Sequence, residues 1–425
     1  MEFMGSQLWE YHVREKKKRA IPRRTAESEP GIVIDRLLEE TLKEVMIPAE
    51  IDGYPVTEIG KKAFMNCKQL KSVALPDTIS VIREEAFSGC ERLTRINLPT
   101  GLKHVMRGIF RNCTGLEEVE FPSEMLFISI EIFQGCTSLK KVKLPEKLVL
   151  LGNHTFEDCV SLETIELPGT LRKIGFGAFM NCKSLKMVQL PRSVTKISGW
   201  AFEGCSSLKE IALPEGITKI ERDVFGDCSS LTRIRIPAGV INIGTDMLNW
   251  ITAINVEDIG KIVQNNPLQG CNNLEEIFVY AGSYAEEWAK KIGYKDLLCV
   301  EELPVSYRIC EETKTVEITE LRDKTMRQLV IPGIIDGCPV TKISEEAFAF
   351  CNNLNHVVVP ESVQVIGDGA FRMCYNLYSI QLPGSVTIIA DTAIAGCTEL
   401  KDIYVQADSY AEEWAMECGF NVIHL

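Results

Sequence analysis

The stretch CVSLETIELPGTLRKIGFGAFMN, Cys159 to Asn181, runs directly into CKSLKMVQLPRSVTKISGWAFEG, Cys182 to Gly204, and the two share the skeleton C..L..V.LP..V..I...AF. In the first copy Leu162, Ile165 and Leu167 stand three and then two residues apart, with polar Thr164 and Glu166 between them. That alternation belongs to a short strand with one face turned to a core. Pro168 ends the strand, because its nitrogen cannot donate to a ladder. Past a turn, Leu171 and Ile174 supply a second apolar pair, and Ala178 with Phe179 sit on a short helical or irregular return to the next cysteine. Each unit has an apolar edge that it cannot bury alone, so neighbouring units must stack.

The same register extends in both directions. Cys67, Cys90, Cys113, Cys136, Cys159, Cys182, Cys205 and Cys228 follow one another at 23 residues, and Cys351, Cys374 and Cys397 keep that interval. A fixed period between 20 and 50 residues is the signature of a solenoid. Val73, Ile96, Val119, Val142, Ile165, Val188, Ile211 and Ile234 then fall on consecutive parallel strands with inward side chains.

These repeats resemble the 23-residue class of bacterial leucine-rich repeats called BspA-like, over roughly residues 31 to 425. The resemblance implies an α/β solenoid with a parallel β-sheet along one face and short helical turns. It also implies an interaction role of the adhesion type, since members are typically cell-surface proteins that bind host or matrix proteins. The family offers no catalytic motif to carry over.

Two arrays are expected, because their openings and endings both recur. The openings are VMIPAEIDGYPVTEIGKKAFMNC (Val45 to Cys67) and LVIPGIIDGCPVTKISEEAFAFC (Leu329 to Cys351), each a repeat with five extra residues around an IDG turn. The endings are SYAEEWAKKIGY (Ser283 to Tyr294) and SYAEEWAMECGF (Ser409 to Phe420). Ser283 with Glu286, and Ser409 with Glu412, have capping-box spacing, so helices near 283–292 and 409–418 are expected to close the arrays. The expected organisation is an N-terminal extension over 1–30, a first array over 31–300 and a second over 301–425. One interval is irregular: Cys228 to Cys271 spans 43 residues. Ile251 to Gly270 reads either as a degenerate repeat or as a loop insertion, with a distortion near Trp250. Residues 1 to 30 break the pattern, and the basic run Lys16 to Arg19 with Arg23 and Arg24 reads as a solvated hairpin or frayed tail.

Composition narrows the partners. The chain has 425 residues, a formal charge of −13 and a pI near 5.1, a balance opposed to nonspecific binding of nucleic acid or anionic membranes. No apolar stretch has the length of a membrane span, and no secretory apolar segment follows Met1, so the sequence as given reads as cytoplasmic while the resemblance points to the cell surface. Sixteen cysteines raise the question of disulfides or metal. Stacked strands lie about 4.8 Å apart, and pairing their cysteines would distort the stack, so the ladder reads as buried thiols. No CxxC pair occurs and the five histidines are scattered, which argues against zinc. A phosphate loop is likewise missing, and the expectation is a non-enzymatic protein without cofactor.

Partner recognition then falls to strand positions that flank the inward residue. In the first array these carry charges: Glu118 is expected to pair with Lys141, and Lys143 to lie between Glu120 and Glu166. In the second array they are His356 and Val358, Ser379 and Gln381, Asp402 and Tyr404, with Tyr378 one place earlier, while Phe278 closes the first array. His356, Val358, Tyr378, Tyr404 and Phe278 are the candidate binding residues, because exposed aromatics serve as interface anchors. Their partner would be a protein or a surface glycan. A second candidate is the row Val81, His104, Phe127, Leu150, Lys173, Lys196 and Lys219 on the return half of the rung, with residues 1 to 30 as a possible cover. The other reading is an intracellular scaffold or regulatory subunit, in keeping with the many unpaired thiols.

Overall fold

The computed structural model describes residues 8–14, 30–244 and 266–424. Each rung contributes two very short strands rather than one, and these build two parallel sheets. The first sheet runs through Glu44–Met46, Ser72–Ala74, Arg95–Asn97, Glu118–Glu120 and Lys141–Lys143, with Val45 opposite Val73, Val73 opposite Ile96 and Val119 opposite Val142. Its ladder is interrupted after Lys143 and resumes between Thr164–Ile165 and Met187–Val188. All eight residues of the inward series from Val73 to Ile234 are buried. The second sheet carries only the later member of the second apolar pair, such as Ile174, on the strands Phe127–Ile128, Leu150–Leu151, Lys173–Ile174 and Lys196–Ile197.

The return segments are turns, so helix is confined among the described residues to two eight-residue α-helices and one short 3-10 turn. The expected α/β character is accordingly small, and the fold is a parallel β-solenoid. The reason lies in backbone geometry. Each return places the residue just before the cysteine in the left-handed region, as at Asn66 (φ 62°), Asn112 (φ 57°) and Gly135 (φ 75°). Asn and Gly tolerate that conformation, and a continuing helix does not.

Two ladders run inside the returns. The rings from Phe64 to Phe225 stack at centroid separations of 4.8–5.9 Å, and Phe348 stacks on Phe371 at 5.1 Å. Beside them each cysteine thiol donates to the carbonyl of a phenylalanine 26 residues earlier, at 3.0–3.2 Å from Cys90 to Phe64 through Cys228 to Phe202.

The 43-residue interval closes as a single rung. Cys271 donates to the Phe225 carbonyl at 3.2 Å, and Arg233, Ile234 and Arg235 pair directly with Glu276, Ile277 and Phe278. No complete degenerate repeat fits between strands that are already neighbours, so the extra residues are an insertion. Trp250 and most of Ile251 to Gly270 lie outside the described residues.

The N-terminal extension is partly ordered structure. Trp9–Arg14 is a strand, antiparallel to Gly31–Leu37, and it buries Trp9 edge-on against Phe64. The basic residues 16–19, 23 and 24 lie outside the described residues. A matching hairpin, Val305–Cys310 with Thr315–Leu321, opens the second array. In both openings a tyrosine donates to the aspartate of the IDG turn: Tyr11 to Asp52 at 2.5 Å, Tyr307 to Asp336 at 2.6 Å.

Two compact units result. Of the described residues, the first holds 8–14, 30–211, 221–232 and 266–273; the second holds 212–220, 233–244 and 274–424. The second contains both helices, α1 (Tyr284–Lys291) and α2 (Tyr410–Glu417). Ser283 and Ser409 each accept from the backbone N–H three residues on, at 3.2 Å, while Glu286 and Glu412 reach back to the N–H groups of Gly282 and Asp408.

Candidate functional site

A three-residue strand whose middle side chain is buried must turn its outer two away from the core. In the first unit Ser72, Ala74, Asn97, Glu120 and Lys143 occupy those places and form the floor of a groove of about 1070 Å³. Leu8, Leu42 and Met46 give it an apolar wall. Lys143 pairs with Glu120 at 2.5 Å, as the strand order requires, and this contact raises the lysine pKa. Glu118 behaves differently: it lies opposite Lys141 in register, but its carboxylate meets Arg95 Nε at 3.2 Å. The longer, forked guanidinium takes the carboxylate from the neighbouring ammonium.

In the second unit Gln328–Val330, His356–Val358, Ser379–Gln381 and Asp402–Val405 form the equivalent sheet. His356 Nδ1 lies 2.7 Å from Ser379 Oγ, and its ring meets Tyr404 edge-on at 6.3 Å. Tyr378 is 48% exposed and edges a recess of about 400 Å³ with Arg327, Asn355, Asn376 and Glu399. Val358 departs from expectation: it is only 5% exposed, because it lies beside the equally buried Val330 on the adjacent strand. Phe278 stands on a different sheet, opposite Arg235 on one side and Cys299 on the other, where the Arg235 guanidinium covers its ring at 5.1 Å and is itself held by both carboxylate oxygens of Glu301. The register sets His356, Ser379 and Asp402 in one row and Val358, Gln381 and Tyr404 in the next, with Tyr378 one residue before Ser379, and leaves Phe278 on another sheet.

His356, Ser379 and Asp402 occupy successive places across three strands, but in that order the serine stands between the other two. A nucleophilic triad needs the histidine in the middle, accepting from serine and donating to the carboxylate. Ser379 is also buried. The ladder thiols are unsuited to nucleophilic work as well, since burial pushes Cys67 and Cys271 up to about 12. Among the described residues no group of three or more His, Cys, Asp or Glu converges on a metal site, and no helix is long and apolar enough to cross a membrane.

Of the apolar members of the return-half row, Val81 and Leu150 are half-buried and Phe127 is exposed. Phe127 is 60% exposed and Leu126 lies exposed beside it, while Lys173 and Lys196 follow in register on the next strands. Trp9–Arg14 extends the end of its own sheet by pairing with Gly31–Leu37 and does not cover Phe127.

The model of the BspA type leucine-rich repeat region matches residues 57–170, 149–275 and 325–418. The chain belongs to this family. No curated protein matches it. Among solved structures, this BspA-type chain is similar to a leucine-rich repeat protein of T. pallidum, at 32% identity over 48% of this chain and 90% of that one, with a TM-score of 0.43. A leucine-rich repeat protein from Bacteroides ovatus aligns over 98% of both chains at 22% identity and a TM-score of 0.45. A leucine-rich cell surface protein from Faecalibacterium prausnitzii aligns at 23% identity over 91% of this chain and 93% of that one, with a TM-score of 0.44.

Sequence reasoning missed the opening hairpins and the groove that the first of them helps to line. Two signals were available: Trp9 and Tyr11 precede the first array much as Val305 and Tyr307 precede the second, and each tyrosine has an IDG aspartate to meet.

Proposed function

We propose that this BspA-type chain is a non-enzymatic protein-interaction module of the adhesion type, which reads a protein partner on the strand faces of two tandem arrays. The arrays would span 31–300 and 301–425, with Trp9–Arg14 joining the first opening and α1 and α2 as closing caps. Paired hairpins at the openings and serine-capped helices at the endings support that division. The single observation that carries the binding reading is Tyr378, a large aromatic left 48% exposed beside a polar recess, one residue before the strand that pairs with those of His356 and Tyr404. Anchors of this kind supply rigid buried area with a hydroxyl at the tip.

The first unit offers a second reading, favoured by the size and apolar wall of its groove. The charged floor is already largely paired within itself, through Arg95 with Glu118 and Lys143 with Glu120. The test takes a partner captured by the folded chain and measures its affinity for two double variants. Tyr378→Ala with Tyr404→Ala should weaken binding about thirtyfold or more, since truncating a central anchor commonly costs about 2 kcal/mol or more. Ala74→Arg with Asn97→Arg, which fills the groove floor, should change it less than threefold. The reverse ranking, with both variants folded, assigns recognition to the first unit.

A further inference from the structure

The second opening is a covered face. Val330 is 5% exposed and Gly333 is buried, and the chain that approaches them is the end of the preceding rungs within the same unit. A Cβ built on Gly239 would lie 2.3 Å from Val330 Cγ1, and one built on Gly333 would lie 3.0 Å from Ile241 Cγ2. The Asp336 N–H donates to the Gly282 carbonyl at 2.9 Å, and a Cβ on Gly282, which sits at φ +69°, would meet Asp336 Oδ1 at 2.5 Å. Seating an opening against an array end therefore requires glycine at two places of that end.

The first opening has the same parts. Met46, Ala49 and Asp52 occupy the places of Val330, Gly333 and Asp336, and Tyr11 holds Asp52 as Tyr307 holds Asp336. Its surface differs in being uncovered by the described residues: Met46 is 52% exposed, and Ala49 and Tyr54 are exposed with it. Glu44 and Glu50 replace Gln328 and Ile334, so this face is also more acidic than its counterpart.

We propose that the face Met46, Ala49, Glu50 and Tyr54 is a docking surface for the closing end of another leucine-rich array, one with glycine at the 239 and 282 places. The chain's own closing end is barred from it. Ser385 stands at the place of Gly239, and Asp408 at the place of Gly282, in the same left-handed conformation at φ +60°. Asp408 would set a carboxylate against Asp52 of a second copy, where there is room for neither its Cβ nor its charge. This inference is independent of Tyr378 and extends the interaction role to a second surface.

The test converts the chain's own end into the permissive kind. In the full chain, Ser385→Gly with Asp408→Gly should produce head-to-tail association, seen as a light-scattering mass that rises with concentration, while the unaltered chain stays at monomer mass. Glycine suits the φ of residue 408, so the fold should survive, and circular dichroism checks that it does. Adding Ala49→Trp to the converted chain should restore the monomer. A folded Ser385→Gly, Asp408→Gly chain that stays monomeric at every concentration overturns the proposal. So does association that persists with Ala49→Trp, or association of the unaltered chain that Ala49→Trp abolishes.

Discussion

Truncating Phe156 to alanine tests which of the two internal ladders holds the returns together. The ring is fully buried and lies 5.4 Å from Phe133 and 5.3 Å from Phe179, each at an interplanar angle of 11°. Removing a buried phenylalanine side chain costs about 3–5 kcal/mol, of which each stacked neighbour accounts for about 0.5–1.5 kcal/mol. Cys159 in the same rung is the natural comparison. Its thiol donates to the Phe133 carbonyl at 3.2 Å, but that oxygen also accepts from the Cys136 N–H at 2.9 Å. Cys159→Ala therefore leaves no orphaned carbonyl, and the loss is one weak hydrogen bond and one sulfur's worth of packing, about 1–2 kcal/mol. Phe127→Ala, on an exposed ring, should stay within about 0.5 kcal/mol. Urea unfolding followed by circular dichroism gives the three differences, and a reduced m-value for Phe156→Ala would show the array splitting at that rung. The reasoning fails if Cys159→Ala costs as much as Phe156→Ala, or if Phe156→Ala costs no more than Phe127→Ala.

Three further outcomes are expected. A thiol reagent should label Cys310 and Cys418 in the native protein and reach the buried ladder from Cys67 to Cys271 only after denaturation; rapid native labelling of that ladder would contradict its burial. Glu58 has a fully buried side chain held by Arg14 and by Arg83, the latter at 2.8 Å, so Glu58→Gln should lower stability by about 3 kcal/mol in the same unfolding assay, and a neutral result would mean the arginines find water without it. Burial opposes ionisation of Glu317, but hydrogen bonds and charge from Lys342 and Arg308 outweigh it and hold the carboxyl down from 4.5 to about 2. A depressed carboxyl stabilises the fold fully above its unfolded pKa, so this contribution should be present above about pH 4.5 and lost as the pH falls toward 2, and Glu317→Gln should flatten that part of the acid titration.

What the sequence determined by itself was everything that repeats. The 23-residue period, the inward series from Val73 to Ile234 and the serine-capped helices depend on local alternation, on proline and on capping residues, so a single rung already contains the information. The stacked phenylalanines were equally periodic, and only their contact needed the folded chain. Tertiary structure decided what depends on residues far apart in the chain. Arg95 rather than Lys141 holds Glu118 because three neighbouring strands compete for one carboxylate. Cys271 joins the stack of Cys228 across an insertion whose length says nothing about where its ends meet. Val358 and Met46 both stand on outward strand places, yet one is buried and the other exposed. A periodic pattern assigns a side chain to a face of its own rung, whereas burial of that face is set by whatever second segment packs against it, and only the folded chain supplies that segment.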